Sequence, residues 1–332
     1  MTRADVVAVI LWVGATCYAL FGGADFGAGF WDLVAGDARR GERPRALIQR
    51  ALTPVWEANH VWLIFILVVL WTGFPDAFGA IMSTLYVPLA LAALGIVLRG
   101  GGFAFRKSVR RLEYRRAMGA TFALSSVLTP FFMGTAVGAI AAGHVPAGGN
   151  GDAFSSWLQP LPLLAGAMFV ASCAYLAAVY LVSDAGRAGA PDLVDYFSRR
   201  ALAAALVAGA LAVAGIFALH SEARYIFDRL TGEGLPLVIV SGLCGLAVIG
   251  MLLRRAHRGL RPLAAGAVVA VIWGWGVAQF PYLLPTSLKV TQSAAPPDTL
   301  ATVIVVFLIA AVLILPSLGL LYWLSQRQLL GD

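Results

Sequence analysis

Long apolar runs, separated by short polar intervals, dominate the chain. Nine of them approach the ~20 residues that a helix needs to cross the hydrocarbon of a bilayer. They cover approximately residues 6–31, 52–71, 77–98, 117–142, 158–182, 201–220, 235–253, 262–284 and 299–325. The pattern predicts an all-α integral membrane protein of nine transmembrane helices. Residues 1–332 form one membrane-embedded unit in this reading, with no second domain.

Composition agrees. Of the residues, 60% are hydrophobic and 12% charged, and the mean hydropathy is +0.83. Soluble domains carry about 25% charged residues, so this chain lacks the polar surface to coat a globule in water. The formal net charge of +7 does not point to nucleic acid, because the positive residues lie between the apolar runs. Cys17, Cys173 and Cys244 fall inside apolar runs and read as packing residues. Met1-Thr2-Arg3 is a poor start for a secretory signal, and none is expected.

Charge placement sets the orientation. Of the 24 lysines and arginines, 20 follow the odd-numbered spans and four lie on the opposite side. The positive-inside rule then puts the N-terminus outside and the C-terminus in the cytoplasm. The basic run Arg106-Lys107, Arg110-Arg111 and Arg115-Arg116 becomes a cytoplasmic loop that acts as a topology determinant.

Polar residues inside the runs carry the candidate chemistry. In the first span, Tyr18, Asp25 and Asp32 share one helical face, with Gly22 and Gly29 between them. The glycines suit close helix approach, but a packing seam does not explain Asp25. The second span opens Thr53-Pro54-Val55-Trp56-Glu57-Ala58-Asn59-His60-Val61-Trp62 and continues without polar residues to Trp71. Trp56, Glu57 and His60 lie within about 100° of arc, and Glu57 and His60 are three residues apart. An ionised carboxylate near a helix centre costs roughly 2.5–3.5 kcal/mol on insertion scales. Asp25 sits late in an inward-running span and Glu57 early in an outward-running one, so both occupy the cytoplasmic half. Buried carboxyls hold protons more readily, and two acids at matching depth suggest a proton route from the cytoplasm. The alternative is a polar cluster that locks two helices.

His60 is the one histidine within a span; His144 and His220 lie at outer ends and His257 in an inner loop. A haem between helices needs inward axial ligands, and a single histidine beside a glutamate reads better as a hydrogen-bonding member of the cluster. Pro88 and Gly95 suggest a kinked third span, ending at Arg99-Gly100-Gly101-Gly102, which lacks the features of a phosphate loop. Thr121, Ser125, Ser126 and Thr129 offer interhelical hydrogen bonds. Residues 143–156 form a glycine-rich outer loop, and 191–200 read as a short amphipathic helix. Trp273, Trp275, Phe280 and Tyr282 read as an interfacial belt.

Three stretches carry a resemblance over essentially the whole length. They are Gly23-Ala24-Asp25-Phe26-Gly27-Ala28-Gly29, Pro54-Val55-Trp56-Glu57-Ala58-Asn59-His60-Val61-Trp62-Leu63, and Trp275-Gly276-Val277-Ala278-Gln279-Phe280-Pro281-Tyr282-Leu283. With these, the chain resembles subunit II of the cytochrome bd-type quinol oxidases, nearest the cyanide-insensitive branch. The resemblance implies two four-helix bundles plus one peripheral helix. It implies a similarly folded, haem-bearing subunit I that holds haems b and d and the quinol loop, with no cofactor or metal held by this chain. The complex would oxidise quinol, reduce dioxygen to water and sit in the cell membrane. Glu57 and Asp25 match acids of the family pattern and would transfer protons, with Trp56, Asn59 and His60 in support; some members carry Asp at the position of Glu57. A small accessory subunit, membrane lipid and quinone complete the implied partners.

Two other readings stay open at this point. A purely structural subunit would use Asp25, Glu57 and His60 as helix glue. A proton-coupled transporter would need repeats and broken helices, and the letters show no internal repeat.

Overall fold

The computed structural model describes residues 1–36, 40–52, 56–108 and 112–326. Its elements are α1 (Arg3–Leu33), α2 (Glu42–Leu52), α3 (Trp56–Gly73), α4 (Pro75–Thr84), α5 (Tyr86–Ser108), α6 (Leu112–Ala141), α7 (Pro160–Arg187), α8 (Pro191–Glu222), α9 (Arg224–Thr231), α10 (Leu235–Leu253), α11 (Leu260–Gln279), β1 (Tyr282–Leu284), β2 (Leu288–Lys289) and α12 (Pro297–Gln326). Among the described residues, seven helices are long and apolar enough to cross a membrane by themselves. They are α1, α6, α7, α8, α10, α11 and α12.

The second and third predicted spans differ from expectation. Residues Asn59–Gly73 and Pro75–Thr84 are bent by 119° at Phe74, because Pro75 lacks the N–H that would continue α3. The third predicted span therefore splits: 77–84 belong to α4, and the rest lies in α5, whose apolar part, Tyr86–Gly102, is shorter than the seven spanning helices. Pro88 lies in the first turn of α5, where an N–H has no intrahelical partner anyway. It starts that helix and does not kink it. Residues 191–200 are likewise no separate helix but the first turns of α8.

Helix starts follow the letters. Thr2 and Asp5 form a capping box on α1, with Thr2 Oγ1 accepting from the Asp5 N–H at 3.2 Å and Asp5 Oδ2 from the Thr2 N–H at 2.7 Å. Pro160 and Pro191 occupy the first positions of α7 and α8. The eighth predicted span stops early, at Gln279. Beyond it β1 pairs antiparallel with β2, Tyr282 opposite Lys289 and Leu284 opposite Leu288. Near the end of α11, the Trp275 ring lies 4.9 Å from that of Trp12 on α1.

α1 is the hub. It packs on α7, α3, α6, α12, α11 and α2. On one side α1, α3, α5 and α6 associate; on the other α7, α8, α10 and α11 do; α12 touches α1 and α3. α1 and α7 approach closely because Gly27 faces the Cys173 carbonyl, where any Cβ would overlap it. The largest buried cluster surrounds α7 and includes Trp31, Tyr175, Leu181, Phe197 and Leu260.

Candidate functional site

Asp25 lies on α1 eight residues before its end, in the glycine-rich turn that sequence singled out. Its carboxylate meets Arg99 of α5. Arg99 Nη1 donates to Asp25 Oδ2 at 2.7 Å and Nη2 to Oδ1 at 2.8 Å, in the fork geometry that suits guanidinium and carboxylate. Nη2 also donates to the Asp25 carbonyl at 3.1 Å, and Nε donates to Ser126 Oγ of α6 at 2.9 Å. Ser126 Oγ donates in turn to the Phe122 carbonyl at 2.7 Å. The side chains are 1% and 2% exposed. The guanidinium lies 4.8 Å from the Phe26 ring centroid and 4.9 Å from that of Phe122. Three helices are thus tied at one buried point. Gly29 makes this possible, since a Cβ there would overlap Ser126 Oγ.

Arg99 was not among the residues that sequence reasoning selected. Its position at the end of an apolar run made it look like a loop charge. In fact α5 continues to Ser108, and Arg99 shares a face with Gly95 one turn earlier. Removing it from the inner tally of basic residues leaves the imbalance intact. A signal did exist: a deep acid needs a cation, and Arg99 is the one basic residue that directly follows an unbroken apolar run and is itself followed by glycines.

Asn59 is buried on α3. The His60 ring lies 6.0 Å from Phe26 and 6.4 Å from Tyr18. Tyr18 donates its hydroxyl to Met133 Sδ at 3.9 Å. α3 runs antiparallel to α1, since Gly14 meets Phe65 while Phe26 meets His60. This register carries backbone position 57, one turn before His60, to the level of Asp25. Trp56 and Glu57 begin α3; their side chains lie outside the described residues, as do those of the basic run 106–116. Seven residues beyond Asp25, about 10 Å along α1, Asp32 pairs with Arg45 Nε of α2 at 3.2 Å. Toward the C-terminal end of α1, the Asp25–Arg99 centre is therefore followed by a second acid–arginine pair on the predicted face. Of the four hydroxyls singled out on α6, Ser126 bridges helices, whereas Ser125 donates to carbonyls of its own helix.

Residues 3–325 match the family model for cytochrome bd terminal oxidase subunit II. The chain belongs to this family. The cytochrome bd ubiquinol oxidase subunit 2 of Bacillus subtilis (strain 168) is 23% identical over 289 residues, covering 85% of this chain and 81% of that protein. The cytochrome bd-I ubiquinol oxidase subunit 2 of Escherichia coli (strain K12) is 28% identical over 174 residues, 49% of this chain and 44% of the relative. A chain of the solved bd oxidase from Geobacillus thermodenitrificans is 25% identical with a TM-score of 0.77, covering 98% of both chains. As a subunit II, the chain is one part of a terminal oxidase complex. It is a multi-pass membrane protein, in bacteria of the cell membrane.

Complexes of this kind contain haems, generally on subunit I. Among the described residues, the histidines other than His60 engage polar neighbours. His144 Nδ1 is 3.0 Å from the Ser156 carbonyl, and His220 Nε2 meets Arg224 Nη1 at 2.6 Å. Among the described residues no three His, Cys, Asp or Glu side chains converge as a metal site.

Proposed function

We propose that this chain braces a haem-bearing subunit I and lines a proton path from the cytoplasm past Asp25 and Glu57. The complex so formed oxidises quinol and reduces dioxygen to water, with haems b and d on subunit I. Nine spans, in two four-helix bundles with α12 peripheral, have the N-terminus outside. The packing of α5 on α6 and α3 on α1, and of α7 on α8 and α10 on α11, supports the bundles, with α1 and α6 joining them through α7.

The carrying observation is the Asp25–Arg99 pair, buried in an apolar interior and followed toward the inner end by Asp32–Arg45. Charges inside membranes are costly and mark ion and proton pathways. Asp25 is not a lone acid: Arg99 engages both its oxygens. In this reading the pair is a fixed dipole along the path, Glu57 is the acid that exchanges protons, and Trp56, Asn59 and His60 shape its surroundings. A small accessory subunit and quinone are further partners.

One observation favours a second, purely structural reading. Arg99 directs its donors to α1 and α6 at once, as a helix cross-link would. Quinol-driven oxygen consumption of the purified complex separates the two. Under the proton-path reading, Glu57→Gln lowers turnover by about a hundredfold or more, the scale of a lost proton-transfer group, with the haem spectrum intact. Unaltered turnover in a fully assembled Glu57→Gln complex leaves the structural reading standing.

A further inference from the structure

Four arginines gather at the predicted cytoplasmic end of the second helix group. Arg199 lies on α8, and Arg254, Arg255 and Arg258 occupy the turn from α10 to α11; all four are exposed. A contact of 3.5 Å between His257 Nε2 and Ser198 Oγ holds that turn against α8, which brings Arg199 to the same corner. The acids around it are otherwise engaged. Asp184 pairs with Arg187 and Arg261, and Asp192 with Arg43. Asp195 is exposed one turn before Arg199, and no ion pair joins it to any of the four among the described residues. Arg200 is committed elsewhere, donating to the Tyr196 carbonyl and lying over the Tyr196 ring.

The turn does not need these side chains as helix caps. The terminal carbonyls of α10 are served by backbone: Arg254 N–H donates to Gly250, Arg255 N–H to Leu252 and Ala256 N–H to Met251. Arg255 also takes a left-handed φ of 55°, a place where glycine or asparagine is favoured. Directly below the arginines, α8 and α10 present an exposed apolar flank that includes Leu206, Val207, Leu243, Leu246 and Leu253. Along it, a Cβ on Gly209, Gly242 or Gly245 would meet nothing within 4 Å, so the flank is open to acyl chains.

We infer that this corner is a binding site for an anionic phospholipid of the inner leaflet. The phosphate sits among Arg199, Arg254, Arg255 and Arg258, and the acyl chains run along the α8–α10 flank. Charge complementarity selects the occupant: clustered cations at a cytoplasmic helix mouth above an apolar lane attract anionic headgroups and gain nothing from zwitterionic ones.

Native mass spectrometry of the whole oxidase complex, in detergent doped with phosphatidylglycerol or phosphatidylcholine, tests this. The wild-type complex is expected to retain phosphatidylglycerol selectively. Replacing all four arginines by glutamine is expected to lower that retention by about tenfold or more. The all-lysine variant keeps the charge and retains the lipid. A control complex carrying Arg106→Gln, Lys107→Gln, Arg110→Gln and Arg111→Gln loses the same number of charges elsewhere and retains it too. Should the fourfold glutamine variant fail to assemble, Arg254→Gln with Arg258→Gln is expected to lower retention severalfold. Unchanged retention in whichever glutamine variant assembles overturns the site. Equal loss in the control also overturns it, because the attraction is then diffuse. Full displacement by inorganic phosphate reassigns the corner to soluble anions and overturns the lipid.

Discussion

At the residue scale the molecule turns on one ion pair. Taking either partner away leaves the other charge buried and uncompensated, which costs about 3–5 kcal/mol. Asp25→Asn and Arg99→Met are each expected to lower the yield and melting temperature of the assembled complex. The double variant removes both charges and is expected to recover most of that loss, because an apolar replacement of a buried pair is often neutral. If the recovered double variant still turns over slowly, Asp25 serves the proton path as well as the packing; full turnover assigns the pair to packing alone. Sequence alone disclosed half of this pair. Asp25 stood out because nothing else in its span was charged, whereas Arg99 was hidden by standing where a topology charge is expected. Helix length decides between those roles, and helix ends are the least legible feature of an apolar run.

A second residue-scale expectation concerns the loop between α6 and α7. Asp152 Oδ1 accepts from the Phe154 N–H at 2.9 Å and the Ser155 N–H at 2.6 Å. These bonds hold its carboxyl below the usual carboxylate range. A lowered folded pKa means the contribution is present above the unfolded value of about 3.9 and fades as pH falls through the lower folded value. Protection of the Phe154 and Ser155 amides from hydrogen exchange should weaken on that descent, and Asp152→Asn should show no such pH dependence.

At the element scale, prolines and glycines decide how the helices begin, break and approach. Seven of the nine apolar runs stand, among the described residues, as helices long and apolar enough to cross a membrane, and these were legible from their length. The break at Phe74 was not, because two apolar helices bent by 119° read in letters like one run with a proline. Pro75→Ala is expected to let α3 extend and so strain the contact of Ala77 N–H with Ser293 Oγ at 2.9 Å; reduced protection of that amide from hydrogen exchange is the readout. Gly27→Leu is expected to be severe, since the Cys173 backbone occupies the space and neither helix has a flexible atom to yield. Assembly of the complex, read on a native gel, should fail. Trp12 donates Nε1–H to the Ile272 carbonyl at 3.0 Å while its ring covers Gly276, which ties α1 to α11.

At the scale of the whole molecule, the two sides of α1 present different surfaces. The side of α3 and α5 exposes Val61, Ile64, Val68, Trp71, Leu94 and Val97 above the Asp25 centre. The other carries the α8–α10 flank. If subunit I docks beside the proton path, cysteines placed at Val61 or Leu94 should cross-link to it, and cysteines at Leu243 or Leu246 should not. Mass analysis of the cross-linked complex reads the outcome directly. Membrane residence was legible from composition, because 12% charge cannot cover a water-soluble surface, and the helical class from the length of the apolar runs. Which surface meets a partner was not, because lipid-facing and subunit-facing leucines look alike.

The separation of 74 residues between Asp25 and Arg99 also has a consequence in time. Ribosomes add about 5–20 residues per second, so α5 follows α1 by about 4–15 seconds. Throughout that interval the aspartate must wait without its arginine, in a helix whose glycines offer lipid little to hold. The first helix is thus a poor candidate for early release into the bilayer and a good one for retention at the insertion machinery until the fifth arrives. The charge that anchors the finished fold also orders its assembly.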